Sequence, residues 1–318
     1  MVIDTHVHMI RPFDSAGRKQ AYSPNPSSAE DFVALMDASG IERAFSISWS
    51  PEDIPSDLAV KGIKPESLRE TLSLDYALEV MARYPQRFYW FPCHLGPAIP
   101  DHMTMARKHL QFGAAGLKLV LSFWGELPDD PRPMAICRLA AEFDAQVIID
   151  TSYWYLGKNE PADPATLGIG HCDVARRVKD FPDYLRHLSP MIEEFPDVNF
   201  SLAHAAARSC TLEHAAAAEV GAFIRRYRNV YADLGALAVD SPALETLVES
   251  AGADRVMFGT DWPHFAQGPA MSEMIAHIRR PGRFTQKVAE MILGKNALAF
   301  VKHRRPGLKP DTADAEGQ

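Results

Sequence analysis

Residues 2–9 read VIDTHVHM, which places His6 and His8 one residue apart with Asp4 just ahead of them. On a strand, side chains at i and i+2 share a face, so both imidazoles would point the same way. Two imidazoles held together suit a divalent metal, zinc before others. A pair of ordinary hydrogen-bonded histidines has the same pattern, so its meaning depends on what else meets it. Other residues with reactive chemistry stand in short apolar runs: His94 in FYWFPCHL (88–95), Lys118 in GLKLVLS (116–122) and Asp150 in QVIIDTS (146–152). His204 lies in VNFSLAHA (198–205), and Asp261 in VMFGTDW (256–262) with His264 three residues on.

These runs, with RAFSISW (43–49) and VYADLGA (230–236), make eight β-branched or apolar segments, each followed by a helical pattern. The helical stretches are 29–40, 67–84, 101–113, 131–143, 182–195, 211–227, 241–252 and 284–301. Gly40 and Gly113 sit where helices stop, and Pro131 and Pro133 suit a first turn. Near-continuous apolar strands alternating with helices predict a parallel sheet covered on both faces. Eight repeats close naturally into a (β/α)8 TIM barrel, with an open doubly wound sheet as the other solution. We read one barrel domain over 1–302 and a polar tail over 303–318. The 318 residues can bury a large core, and 47% hydrophobic against 23% charged residues is ordinary globular composition.

A net charge of −8 argues against a nucleic-acid backbone as partner. Cys93, Cys137, Cys172 and Cys210 form no metal or disulfide spacing and read as free thiols. With no apolar run of about 18 residues and no basic leader ahead of the first strand, a cytoplasmic protein acting on a small molecule is expected. A homodimer is the commonest closed assembly for such a chain.

Barrel enzymes do their chemistry at the C-terminal ends of the strands. His6, His8, His94, Lys118, Asp150, His204 and Asp261 all fall there, and strand eight neighbours strand one in a closed barrel. His6, His8 and Asp261 are thereby candidate metal ligands. Arg11 and Arg208 follow strand ends closely enough to clamp a substrate carboxylate, or are surface arginines. Trp49, Trp124, Trp154 and Trp262 line the mouth or pack under loops, and His264 lines the pocket or is solvated. Specificity is expected in the loops 11–28, 50–66 and 153–179.

IDTHVHM at the start and GADRVMFGTDWPH near the end resemble the amidohydrolase superfamily. The nearer resemblance is to its amidohydrolase-2 branch, which includes the aminocarboxymuconate-semialdehyde decarboxylase group. YPQRFYWFPCHLGP, EEFPDVNFSLAHAA and NVYADLGAL also resemble that branch, and the likeness spans roughly residues 1–300. The resemblance implies a single divalent metal, zinc first and manganese second, on His6, His8 and Asp261, with His204 beside it as acid/base. It also implies that Asp261 accepts a proton. The departure is at strand five, where Asp150 stands in IDTS in place of the family's histidine. Three readings follow: Asp150 is a carboxylate ligand, or a histidine such as His94 or His171 supplies the nitrogen, or the site works without tight metal as in lactonase relatives. Lys118 is read as an inward cation near the substrate or a partner of Asp150, ahead of a metal-bridging carbamate. The resemblance implies hydrolysis of an amide, ester or lactone by activated water. Non-oxidative decarboxylation of an unsaturated or aromatic acid is the alternative, and an inactive small-molecule-binding barrel the third reading.

Overall fold

The structure, a computed structural model, describes residues 1–8, 28–49, 74–94, 101–121, 125–151, 177–178, 181–206, 214–235, 241–262, 269–302, 304 and 306–307. The strands are β1 (Ile3–His8), β2 (Arg43–Trp49), β3 (Phe88–His94), β4 (Gly116–Leu119), β5 (Gln146–Asp150), β6 (Phe200–Ala203), β7 (Val230–Asp233) and β8 (Val256–Met257). They form one sheet in sequence order, every neighbouring pair parallel. The sheet curls back on itself through a bridge between Val7 and Trp262. The Thr5 N–H donates to Phe258 O at 2.9 Å and the Asp261 N–H to His6 O at 2.8 Å across the same seam. The architecture is the expected (β/α)8 barrel.

The helices are α1 (Ala29–Ser39), α2 (Leu74–Arg83), α3 (His102–Gln111), α4 (Pro131–Glu142), α5 (Phe181–Glu194), α6 (His214–Ile224) and α7 (Ala243–Ala251). An additional helix not foreseen from the sequence, α8 (Pro269–Ile278), follows β8. Local chemistry sets several ends. Ser28 and Asp31 form a reciprocal capping box at the start of α1, and Gly40 ends it at φ 71°. The expected final helix is broken into α9 (Gln286–Glu290), a π-helical turn (Met291–Lys295) and α10 (Asn296–Phe300). Ile292 O in that wider turn accepts the Phe258 N–H at 2.9 Å, which ties the end of the chain to β8. No helix among the described residues is long and apolar enough to cross a membrane.

Alternation along the strands separates two cores. Outward residues such as Val7, Ala44, Trp90, Leu117, Leu119 and Val147 pack against the helices. Inward residues Ile3, Phe45, Ile47, Phe91, Ile148, Tyr231 and Met257 fill the lower barrel. Phe300 of α10 closes the floor, its ring 5.9 Å from Phe45 and 5.5 Å from Tyr231. Gly116 is required on β4, because a Cβ there would lie 2.2 Å from Gln146 O and 2.5 Å from Phe91. Of the two places the sequence left open for Trp262, mouth or packing, the structure has packing: it is buried on the outer side, its ring 4.6 Å from Phe32 of α1.

Strand β1 carries an irregularity that matters for function. Asp4 pairs with Ala44, but Val7 pairs with Ser46, so β1 holds one extra residue between them. Ile3 faces the inner core before this bulge and Val7 faces the outer core after it. Strict alternation from Ile3 would send Val7 inward; the extra residue sends His6 and His8 inward instead.

One buried group outside the barrel mouth makes stability depend on pH. His109 of α3 is 7% exposed and packs 5.1 Å from the Trp90 ring. Burial depresses its pKa to about 4 from 6.5. Between these values the unfolded chain binds the proton that the folded chain refuses, so stability is full above pH 6.5 and falls as pH drops toward 4. We predict that from pH 7 to 4.5 wild type loses about 2–3 kcal/mol more than His109→Leu in urea unfolding. Parallel losses in the two proteins would show that His109 is not held neutral.

Candidate active site

The upper ends of the strands bring His6, His8, Lys118, Asp150, His204, Asp233 and Asp261 together, all buried. The cluster is best read outward from His6. Its Nδ1 lies 3.2 Å from Asp233 Oδ1 and its Nε2 lies 3.0 Å from Lys118 Nζ. A carboxylate only accepts and an ammonium only donates. His6 is therefore protonated on Nδ1, and its Nε2 lone pair faces the centre. Burial, reinforced by the Lys118 charge, lowers the His6 pKa to about 4, so the ring is neutral.

Asp261 stands opposite. Its Oδ1 is 3.3 Å from His8 Nε2 and 3.6 Å from His6 Nε2. The backbone at Asp261 has φ 58°, a left-handed conformation that β8 adopts beyond its ladder. Asp4 supports this bend from below: its Oδ1 accepts the N–H groups of His6 and Thr260 at 3.1 and 3.0 Å, and its Oδ2 the Thr260 hydroxyl at 2.6 Å. Thr260 Oγ1 in turn accepts the Trp262 N–H at 3.2 Å. Burial pushes the Asp4 carboxyl up to about 7 against these hydrogen bonds. Burial likewise lowers His8, with Asp261 pulling the other way.

On the far side, Lys118 Nζ is 3.2 Å from Asp150 Oδ2, and His204 Nε2 is 3.5 Å from the same oxygen. Burial works against charge on Lys118, but Asp150 together with Cys93, Asp261 and Asp233 outweighs it and the pKa rises. His204 faces two acceptors, Asp150 through Nε2 and Gly235 O at 3.2 Å through Nδ1. Burial again opposes the charge, and Asp150 again prevails, lifting His204 to about 9 as an imidazolium. His204 stands just past β6, at φ 59° in a three-residue 3-10 turn. Ala203 faces the inner core, so continued alternation would turn His204 outward; the left-handed turn brings its ring to 4.5 Å from that of His6.

Among the described residues, two groups of side chains have ligand atoms within 4.8 Å of one another: His6 with His8 and Asp261, and His6 with His204 and Asp233. Chemistry separates them. Asp233 Oδ1 already receives the His6 Nδ1–H and the N–H groups of His204 and Gly235, at 3.2, 3.1 and 3.0 Å. The first group offers two imidazole nitrogens and a carboxylate, with one imidazole tautomer fixed from behind, which is a donor set that fits a divalent metal. Asp150, expected as a further ligand, belongs to neither group and is engaged by Lys118 and His204.

Other sequence candidates stand apart from this picture. The side chains of His94 and Trp49 are outside the described residues, although their backbones end β3 and β2. Arg11, Trp124, Trp154, His171, Arg208 and His264 also lie outside, as do nearly all of the three specificity loops and most of the tail. Cys93 and Cys137 are buried and not in a disulfide. Asp233 was missed in the sequence, although it carries a readable signal: a lone carboxylate closing the apolar run VYAD, at the level of the other strand ends. Asp4 was seen only as a neighbour of the histidines, since its bond to Thr260 spans the whole chain.

A sequence profile described as amidohydrolase matches residues 3–302. No curated protein matches in sequence. Among solved structures, an uncharacterized TIM-barrel protein from Bordetella bronchiseptica is similar with TM-score 0.65 and 17% identity, covering 95% of this chain and 98% of that one. A probable 2-pyrone-4,6-dicarboxylic acid hydrolase from Acinetobacter baumannii has TM-score 0.58 and 15% identity over 95% and 99% of the two chains. A 2,6-dihydroxybenzoate decarboxylase from Rhizobium has TM-score 0.58 and 16% identity over 95% and 98%. At these identities the structural likeness speaks for the fold.

Proposed function

Because the chain belongs to the amidohydrolase-2 branch of the amidohydrolases, and is therefore an enzyme, we propose that it is a metal-dependent hydrolase acting on an amide, ester or lactone carbonyl of a small molecule. The observation that carries this reading is the convergence of His6 Nε2, His8 Nε2 and Asp261 Oδ1 in one buried cluster, with His204 facing it from the next wall. His6, His8 and Asp261 would hold one divalent ion, zinc first and manganese second. When bound, such an ion supplies Lewis acidity and lowers the pKa of water toward ~7.

The chain's own groups divide the remaining work. Asp261 is the carboxylate that would take the proton of the attacking water. His204, charged and held from both nitrogens, faces the charge that develops on the carbonyl oxygen and later returns a proton to the leaving group. Lys118 keeps Asp150 compensated, and Asp150 keeps His204 charged.

A second reading, decarboxylation of an unsaturated or aromatic acid, draws support from the charged His204, a proton donor suited to protonating carbon. The similar solved structures carry both a hydrolase and a decarboxylase name. One preparation loaded with zinc or manganese separates the readings. Ester, lactone and amide panels in 18O-water should give labelled acids. Release of CO2 from aromatic acids without 18O uptake would replace hydrolysis by decarboxylation. Ligand-induced thermal shifts with no turnover under any metal would leave a binding barrel.

A further inference from the structure

We infer that Asp233 is the positioning residue of this centre, holding His6 and the His204 turn in one register. It has no role in the proton transfers proposed above, yet it is fully buried and receives four hydrogen bonds. Oδ1 takes the His6 Nδ1–H, the His204 peptide N–H and the Gly235 peptide N–H; Oδ2 takes the Ser201 hydroxyl at 3.3 Å. Those donors come from β1, the turn after β6, the turn after β7 and β6 itself. One carboxylate thus joins the two imidazoles that the chemistry needs in fixed relation.

His6 first, and His204 after it, keep Asp233 charged. Burial alone would raise its pKa, yet it lies below the usual range, with His6 and then the charge and peptide N–H of His204 opposing burial. Since the His6 ring is neutral, its contribution is that of an N–H donor rather than an imidazolium. A charged acceptor behind Nδ1 makes Nε2 a better electron-pair donor and fixes the ring's rotation. The surroundings leave no slack. A Cβ on Gly235 would lie 3.0 Å from Asp233 Oδ1 and 3.1 Å from His6 Nδ1, so glycine is what lets the three groups close up.

The inference rests on His6 being a ligand only for its effect on metal affinity; the tautomer it fixes is measurable without metal. The test uses full-length Asp233→Asn, which keeps the shape and loses the charge, with Ser201→Ala as the control that removes only the contact to Oδ2. In 15N-histidine spectra of metal-free wild type, assigned with His6→Gln, His6 should carry its proton on Nδ1, in a downfield, slowly exchanging signal. In Asp233→Asn that signal should move upfield and exchange faster. Zinc affinity, read by competition with a chromogenic chelator, should fall about 10–100-fold in Asp233→Asn and stay within about twofold in Ser201→Ala. A wild-type His6 protonated on Nε2 would overturn the inference even if Asp233→Asn failed to fold. So would an Asp233→Asn protein with the wild-type His6 signal and affinity. Wild type that takes up no zinc while its His6 signal shifts on substitution would sustain the inference and remove the metal from the functional reading.

Discussion

Lys118→Met should be the most destabilising single substitution in the barrel mouth, and it should bind metal more tightly than wild type. The stability loss follows from what it leaves behind. Lys118 is 1% exposed and sits 3.2 Å from Asp150. Breaking a buried ion pair costs about 3–5 kcal/mol, and because the His204 imidazolium still faces Asp150 the loss should fall at the lower end of that range. Calorimetry should show a Tm lower by on the order of 5–10 °C. The double variant Lys118→Met/Asp150→Leu should recover part of that loss, because an apolar pair replaces the unbalanced charge and His204, without Asp150 to hold its proton, becomes neutral. The gain in affinity has a separate cause. Lys118 Nζ lies 3.0 Å from His6 Nε2 and donates to the lone pair that a metal would use. A divalent ion must displace it and tolerate a nearby ammonium; without the lysine both penalties vanish, and zinc affinity should rise at least about tenfold. An unchanged Tm would show that Lys118 does not compensate Asp150, and an unchanged or weaker affinity would remove the competition at His6.

Asp261→Asn should abolish turnover while leaving the barrel folded. The substitution keeps the side-chain shape and removes both the anionic donor and the base. Loss of general-base assistance alone costs about 10²–10⁴-fold in rate. Weaker metal retention adds to this, so kcat should fall even with zinc in excess. The fold should tolerate the change for a backbone reason: Asp261 has φ 58°, a conformation that asparagine adopts more readily than most residues. Asp261→Ala would add backbone strain to the chemical defect and confuse the two. Steady-state kinetics at saturating metal, beside a melting curve, are the measurement. Asp261→Asn retaining more than about a tenth of the wild-type kcat would exclude Asp261 as the base.

Much of this organisation is legible in the sequence, and the reason is periodicity. Near-continuous apolar runs such as QVIID and VYAD read as strands buried on both faces, and eight of them alternating with helices point to a closed barrel ahead of an open sheet. Knowing that barrel chemistry gathers at one rim then picked out His6, His8, Lys118, Asp150, His204 and Asp261 without a coordinate, because strand ends are one-dimensional information. What side chains do at that rim is not. Alternation counted from Ile3 would have sent Val7 into the barrel; one extra residue in β1, visible only in its register with β2, turns His6 and His8 inward instead. Counting along β6 would have sent His204 out, and only a left-handed turn at its end brings it back over His6. Asp150 occupies a position that suggested a metal ligand, but its partners come from β4 and the turn after β6. Asp233 came to notice through its four donors, three of them distant in sequence. Residue type and spacing determined the family, the barrel and the list of reactive groups. Register slips, positive-φ turns and contacts between distant strands decided which of those groups face one another, because these depend on how the closed sheet meets itself.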